Sequence, residues 1–132
     1  MKITLDTNVL VRTLVGDDPD QLRSAQAALK KADLIAVTTP MLCECVWVLS
    51  RGYRVPPDEI ANAIRSLIAS GAVEANRPAI EAGLAAMDSG GDFADSVIAF
   101  EGASLGGDTF ASFDKEAVQL LKRQGRDAIL LK

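Results

Sequence analysis

An α/β fold with a central, mainly parallel sheet is predicted by two features of the sequence. Short apolar runs of strand length alternate with longer segments of helical periodicity, and Pro19, Pro40, Pro57 and Pro78 each stand where such a segment begins. Strands separated by helices pair in parallel and are covered on both faces. No internal repeat, linker or low-complexity stretch interrupts the pattern, so residues 1–132 read as a single domain.

The elements follow in order. Lys2 to Leu5 reads as a first strand ending at Asp6, with Asn8 as cap of a helix over Val9 to Leu14. Asp18, Pro19 and Gln21 form a cap, a first helical residue and the returning partner of a capping box. Leu22, Ala25, Ala28, Leu29 and Ala32 supply that helix's apolar face. Leu34 to Val37 is a strand. Thr39-Pro40 opens a helix whose buried side holds Met41, Leu42, Cys45, Val48 and Leu49, with Gly52 near its end. Pro57 starts a helix to about Ala69, closed by Gly71, and Val73 to Ala75 is a short strand. Further helices span Pro78 to Met87, Phe93 to Leu105 and Lys115 to Arg123, with strands over Asp108 to Phe113 and Ala128 to Leu131.

Composition narrows the function. Of 132 residues, 48% are hydrophobic and 24% charged, the mixture of a folded globular chain that needs no disulfide or structural metal. A net charge of −4 argues against a general nucleic-acid coat, which needs clustered Lys and Arg, and suits a basic protein partner. The chain has no histidine, which removes Ser-His-Asp and Cys-His catalysis and histidine-based zinc sites. Cys43 and Cys45 read as buried free thiols of a reducing compartment. The amino-terminal run is broken by Asp6 and Asn8 and is no signal peptide, and no apolar stretch approaches the ~20 residues of a membrane span. A cytoplasmic location is the expectation.

Most acids have a simple place. Asp17, Asp18, Asp20, Asp58 and Glu59 stand at helix starts, where caps and the macrodipole favour them. Four others stand where the pattern predicts an apolar residue. Asp6 ends a strand. Glu44 lies in the apolar run Met41 to Val48, Asp95 is followed by Val97, Ile98 and Ala99, and Asp114 comes after Phe113. Asp92 precedes Asp95 by three residues and shares its side of the helix start. Any one of these could be a salt bridge, but only Arg51 and Lys115 lie near enough to serve, and four such acids outnumber them. At the carboxyl edge of a parallel sheet such acids converge. Two carboxylates about 4 Å apart repel by roughly 4 kcal/mol at an effective dielectric near 20. They must take up protons or a hard cation, and oxygen-only ligands select Mg²⁺ or Mn²⁺. A site of that kind suits phosphodiester hydrolysis.

At these residues the chain resembles the PIN-domain family. Leu5-Asp6-Thr7-Asn8-Val9-Leu10 is similar to its opening signature, and Glu44 stands at its second acidic position. Asp92-Phe93-Ala94-Asp95-Ser96 is similar to its third motif and Ser112-Phe113-Asp114-Lys115 to its fourth, with Ser112 where Thr is common. The small size looks like the VapC toxin branch. The resemblance implies a three-layer α/β/α sandwich and Mg²⁺- or Mn²⁺-dependent endoribonuclease activity. It also implies a VapB-type antitoxin as partner and a homodimer. Asp6, Glu44, Asp95 and Asp114 would be metal ligands, Asp92 a water-orienting acid or proton acceptor, and Thr7, Asn8 and Ser112 hydrogen-bonding supports of the ligands.

Arg12, Arg51, Arg54 and Lys115 are candidate phosphate contacts or solvated surface charges, and Trp47, with apolar neighbours in sequence, reads as core or interface rather than as a base-stacking platform. Two alternatives stand beside this reading. One is a PIN-fold binding module without nuclease activity, against which the presence of all four acids counts. The other is a phospho-acceptor receiver domain, which needs an acceptor Asp ending a middle strand. Here the only mid-chain Asp is Asp58, at a helix start behind Pro56-Pro57.

Overall fold

Strand segments in this chain are short, and every one that pairs is joined to its partner through helix. The computed structural model describes residues 1–132. Its elements are β1 (Lys2–Thr4), α1 (Thr7–Val15), α2 (Pro19–Lys31), β2 (Leu34–Val37), α3 (Thr39–Trp47), a π-helical turn (Val48–Gly52) and α4 (Pro57–Ile68). There follow β3 (Val73–Ala75), α5 (Arg77–Asp88), α6 (Phe93–Ser104), β4 (Thr109–Ser112), α7 (Lys115–Arg123) and β5 (Asp127–Leu130). All strand pairs are parallel, so the fold is mixed α/β with parallel strands flanked by helices. The chain forms two compact units, Met1–Arg77 and Pro78–Lys132.

In the first unit the sheet order is β1-β2-β3, with Ile3 opposite Ile35 and Ile35 opposite Val73. Ile35, Val37 and Val73 are buried, and Leu5 extends the ladder by donating its N–H to the Ala36 carbonyl at 3.0 Å. Asp6 is therefore the first residue past the ladder, and its backbone (φ −87°, ψ 156°) is that of an N-cap. This corrects the expected start at Asn8: α1 begins at Thr7, with Asn8 already inside it. Gly16, at φ 68°, ends α1 in the left-handed conformation that favours glycine and donates to the Arg12 carbonyl.

The Asp18 cap is present, with its Oδ1 accepting the Gln21 N–H at 3.1 Å. The α2 face is shallower than its periodicity predicts: Ala25 is buried, Leu22, Leu29 and Ala32 are half-buried, and Ala28 is exposed. Thr38 caps α3 through its Oγ1. Met41, Leu42, Cys45 and Leu49 fill the buried side, with Val48 half-buried. Neither cysteine forms a disulfide; Cys45 is buried but Cys43 is half-buried. Burial, aided by the charge of Glu44, pushes the Cys45 thiol up to about 11, so it behaves as an inert apolar group. Asp58 lies in the first turn of α4 and not at a strand end, which leaves the receiver reading without its acceptor.

In the second unit β4 pairs with β5, Phe110 opposite Ala128. Ala99 of α6, Val118 and Leu121 of α7 and Ala128 of β5 form its core, with Phe110 packed against them. Gly83 of α5 has no room for a side chain, because a Cβ there would come within 2.7 Å of the Phe93 ring. That close approach seats Phe93, the first residue of α6 and almost wholly buried. No helix is long and apolar enough to cross a membrane.

Candidate active site

Asp92, Asp95 and Asp114 belong to the second unit, and the charges of Asp92 and Asp114 act on Asp95. Asp92 is the N-cap of α6 and accepts the Ala94 N–H at 3.1 Å. Asp95 lies in the first turn of the same helix and is half-buried. Burial, then the charges of Asp92 and Asp114, then a hydrogen bond with Asp92, raise its carboxyl to about 6. The α6 dipole favours a carboxylate at this position, yet desolvation and two acid neighbours prevail.

Asp114 follows β4 and caps α7. Its Oδ1 accepts the N–H groups of Glu116 at 2.9 Å and Ala117 at 3.4 Å. Both bonds go to the same oxygen, so Oδ2 is not committed to the cap. Ser112 shapes this turn by accepting the Asp114 N–H on its Oγ at 2.9 Å. Its own carbonyl receives the Leu131 N–H at 2.8 Å, which fixes the turn to the end of β5. Ser112 thus positions the strand-to-helix turn from which the Asp114 carboxylate projects.

One positioning residue was not singled out by sequence. Ser96 is completely buried, and its Oγ donates to Gln124 Oε1 at 2.9 Å. Gln124 is the C-cap of α7, the helix that Asp114 begins. The bond ties the helix carrying Asp95 to the helix capped by Asp114. The available signal was a hydroxyl beside Asp95 in the largely apolar first half of the helix.

Asp6 and Glu44 belong to the first unit. Asp6 occupies the N-cap position of α1 but its side chain makes no capping bond, unlike Asp18, Asp92 and Asp114. Its carboxylate stands exposed beyond the end of β1, next to buried Thr7 and exposed Asn8. Glu44 lies on α3 and is exposed. Here the expected apolar surroundings are corrected: Pro40 and Trp47 on the same helical face are themselves exposed, and Val48 is half-buried. Apolar residue types mark this face, but they do not bury it. Of the four acids expected in apolar surroundings, Asp95 alone is partly buried.

The cations sort differently. Arg12 donates to Asp17 at 2.9 Å and to the Tyr53 hydroxyl at 3.0 Å, so it is engaged in a surface network. Arg51, Arg54 and Lys115 are exposed, and none of them takes part in the ion pairs Met1–Asp33, Arg12–Asp17 and Arg23–Asp20. Trp47 is 63% exposed, which removes it from the core.

No group of three or more acids or thiols stands as a ready-formed cage for an ion. The chemistry of the donors fits a hard divalent cation: they are oxygens only, and the Asp95 charge is disfavoured by burial first and by its acid neighbours second. A bound cation would remove that penalty. The family profile described as PIN domain matches residues 3–123, running through all four acidic motifs. No curated protein matches the chain.

Proposed function

The chain belongs to the PIN-domain family, a nuclease-type fold, and on that premise we propose that it is a Mg²⁺- or Mn²⁺-dependent endoribonuclease. The observation that carries the proposal is the PIN profile match across all four acidic motifs, and it is supported at Asp95, where burial and then the charges of Asp92 and Asp114 oppose ionisation. Asp95 and Asp114 are ligands in this reading. Asp6 and Glu44 are ligands by the motifs in which they stand, and the uncapping carboxylate of Asp6 supports its part. Residues 1–132 act as one functional domain, consistent with a profile match that runs through both units.

A divalent ion held by these oxygens supplies the Lewis acid that activates water and neutralises a non-bridging phosphate oxygen. Asp92 orients the attacking water or accepts its proton. Thr7, Asn8 and Ser112 hold the ligands in place; Ser112 does so through the Asp114 N–H. The products of such hydrolysis carry a 5′-phosphate and a 3′-hydroxyl.

The toxin role, a VapB-type antitoxin, a homodimer and a cytoplasmic location come from the resemblance to the VapC branch. A net charge of −4 supports a partner with a basic segment.

The test is cleavage of single-stranded RNA with Mg²⁺ or Mn²⁺, followed by analysis of the product ends. Wild type is expected to cut and leave 5′-phosphates, while EDTA, Asp6→Asn and Asp95→Asn each abolish cutting. Undiminished cutting by Asp95→Asn, or 2′,3′-cyclic phosphate ends in EDTA, would contradict the proposal. Absence of cutting by correctly folded wild type would move the non-catalytic binding module ahead.

A further inference from the structure

Trp47 is the only tryptophan in the chain, and 63% of it is exposed. It ends α3, three residues after Glu44, and side chains at that spacing are neighbours with Cβ atoms about 5–6 Å apart. Beyond it the helix passes into the π turn Val48–Gly52, which carries exposed Arg51 four residues on. π turns of this kind recur at functional sites. Arg54 follows at φ 54°, a left-handed conformation that a non-glycine residue holds only at some energetic expense. Neither arginine is tied to a carboxylate.

The surroundings of the indole decide its use. Glu44, Ser50, Arg51 and Arg54 are all exposed on this stretch, so the exposed Trp47 ring has polar and charged groups at helical spacing on either side, while the other exposed aromatic of the stretch, Tyr53, is engaged with Arg12. The core of a protein–protein interface is depleted of charge. A single aromatic with unpaired cations beyond it is the arrangement that holds single-stranded nucleic acid, with a base on the ring and phosphates on the cations.

We propose that Trp47 is a base-stacking platform for single-stranded RNA beside Glu44, with Arg51 and Arg54 holding the adjoining phosphates. The inference rests on the ribonuclease reading and adds a substrate-positioning surface to it. Stacking needs an unpaired base, so this surface selects single strands over duplex. It tolerates every base, because each has a π face.

Because Trp47 is the only indole, its fluorescence reports the contact directly. Wild type in excess is mixed with an oligoribonucleotide of about ten nucleotides in Mg²⁺, and emission is read during the first turnover. Cleavage by wild type, Trp47→Phe and Trp47→Ala is then compared. The expected results are quenching by the single strand but not by the matching duplex, and a kcat/KM lowered roughly tenfold in Trp47→Ala. Trp47→Phe retains most of the activity. Wild-type cleavage with no change in emission, and with Trp47→Ala equally active, overturns the platform and leaves the nuclease standing. Emission that shifts with protein concentration alone assigns the indole to self-association and also overturns it. Failure of wild type to bind or cut RNA overturns both readings.

Discussion

The carboxyl of Asp95 titrates near 6 because burial and the charges of Asp92 and Asp114 oppose its ionisation. The folded chain therefore holds this proton more tightly than the unfolded chain, whose ordinary carboxyl value is 3.8. Between about pH 4 and pH 6 the native state binds more protons, so stability falls as pH rises through that window. Asparagine carries no charge at any pH. In EDTA, Asp95→Asn is expected to be more stable than wild type above pH 6, with the difference closing towards pH 4. Urea unfolding at several pH values measures this, and a difference that persists unchanged at pH 4 would contradict it. Asp95 was legible as an acid followed by Val97, Ile98 and Ala99, of which Val97 and Ala99 are buried and Ile98 is exposed. Glu44 was misjudged by the same logic, because Pro40 and Trp47 are apolar in type yet exposed. Residue type predicts the preference for burial, whereas tertiary neighbours decide it. Ser96 was illegible for the related reason that its partner, Gln124, lies 28 residues away.

At the scale of elements, Asp114 has two separable tasks. Its Oδ1 caps α7, and its charge acts on Asp95. Asn caps a helix about as well as Asp, whereas Ala forfeits about 1 kcal/mol. Asp114→Asn is therefore expected to keep its metal-free stability near that of wild type while losing RNA cleavage. Asp114→Ala loses both, by about 1 kcal/mol in urea unfolding. Cleavage retained in Asp114→Asn would confine this residue to capping. The element boundaries were largely legible because local chemistry sets them, as Asp18 with Pro19 does for α2 and Thr39-Pro40 for α3, although the capping side chain of α3 is that of Thr38. The start of α1 was not, since Asp6 takes the cap position without a side-chain bond and Asn8 offered the more conventional cap. The π turn after Trp47 was also unread, because its wider hydrogen bonding leaves no distinct apolar period in five residues.

For the whole molecule, alternating helices and parallel strands follow from the pattern, but strand order does not. Which strands pair is set by long-range contacts, and they divide into the sheets β1-β2-β3 and β4-β5. The four acidic motifs were legible in order along the chain, and the PIN profile runs through them all. If the four acids together hold one or two divalent ions, as proposed, the melting temperature responds to the metal. Wild type and Asp95→Asn are melted in EDTA and then in Mg²⁺ and in Mn²⁺. A cation at ten times its Kd stabilises the folded state by about 1.4 kcal/mol, which at this chain length raises Tm by roughly 3–8 °C. Wild type is expected to show that rise and Asp95→Asn none. A wild-type Tm indifferent to millimolar Mg²⁺ and Mn²⁺, or a rise that survives Asp95→Asn, would contradict the proposed metal site.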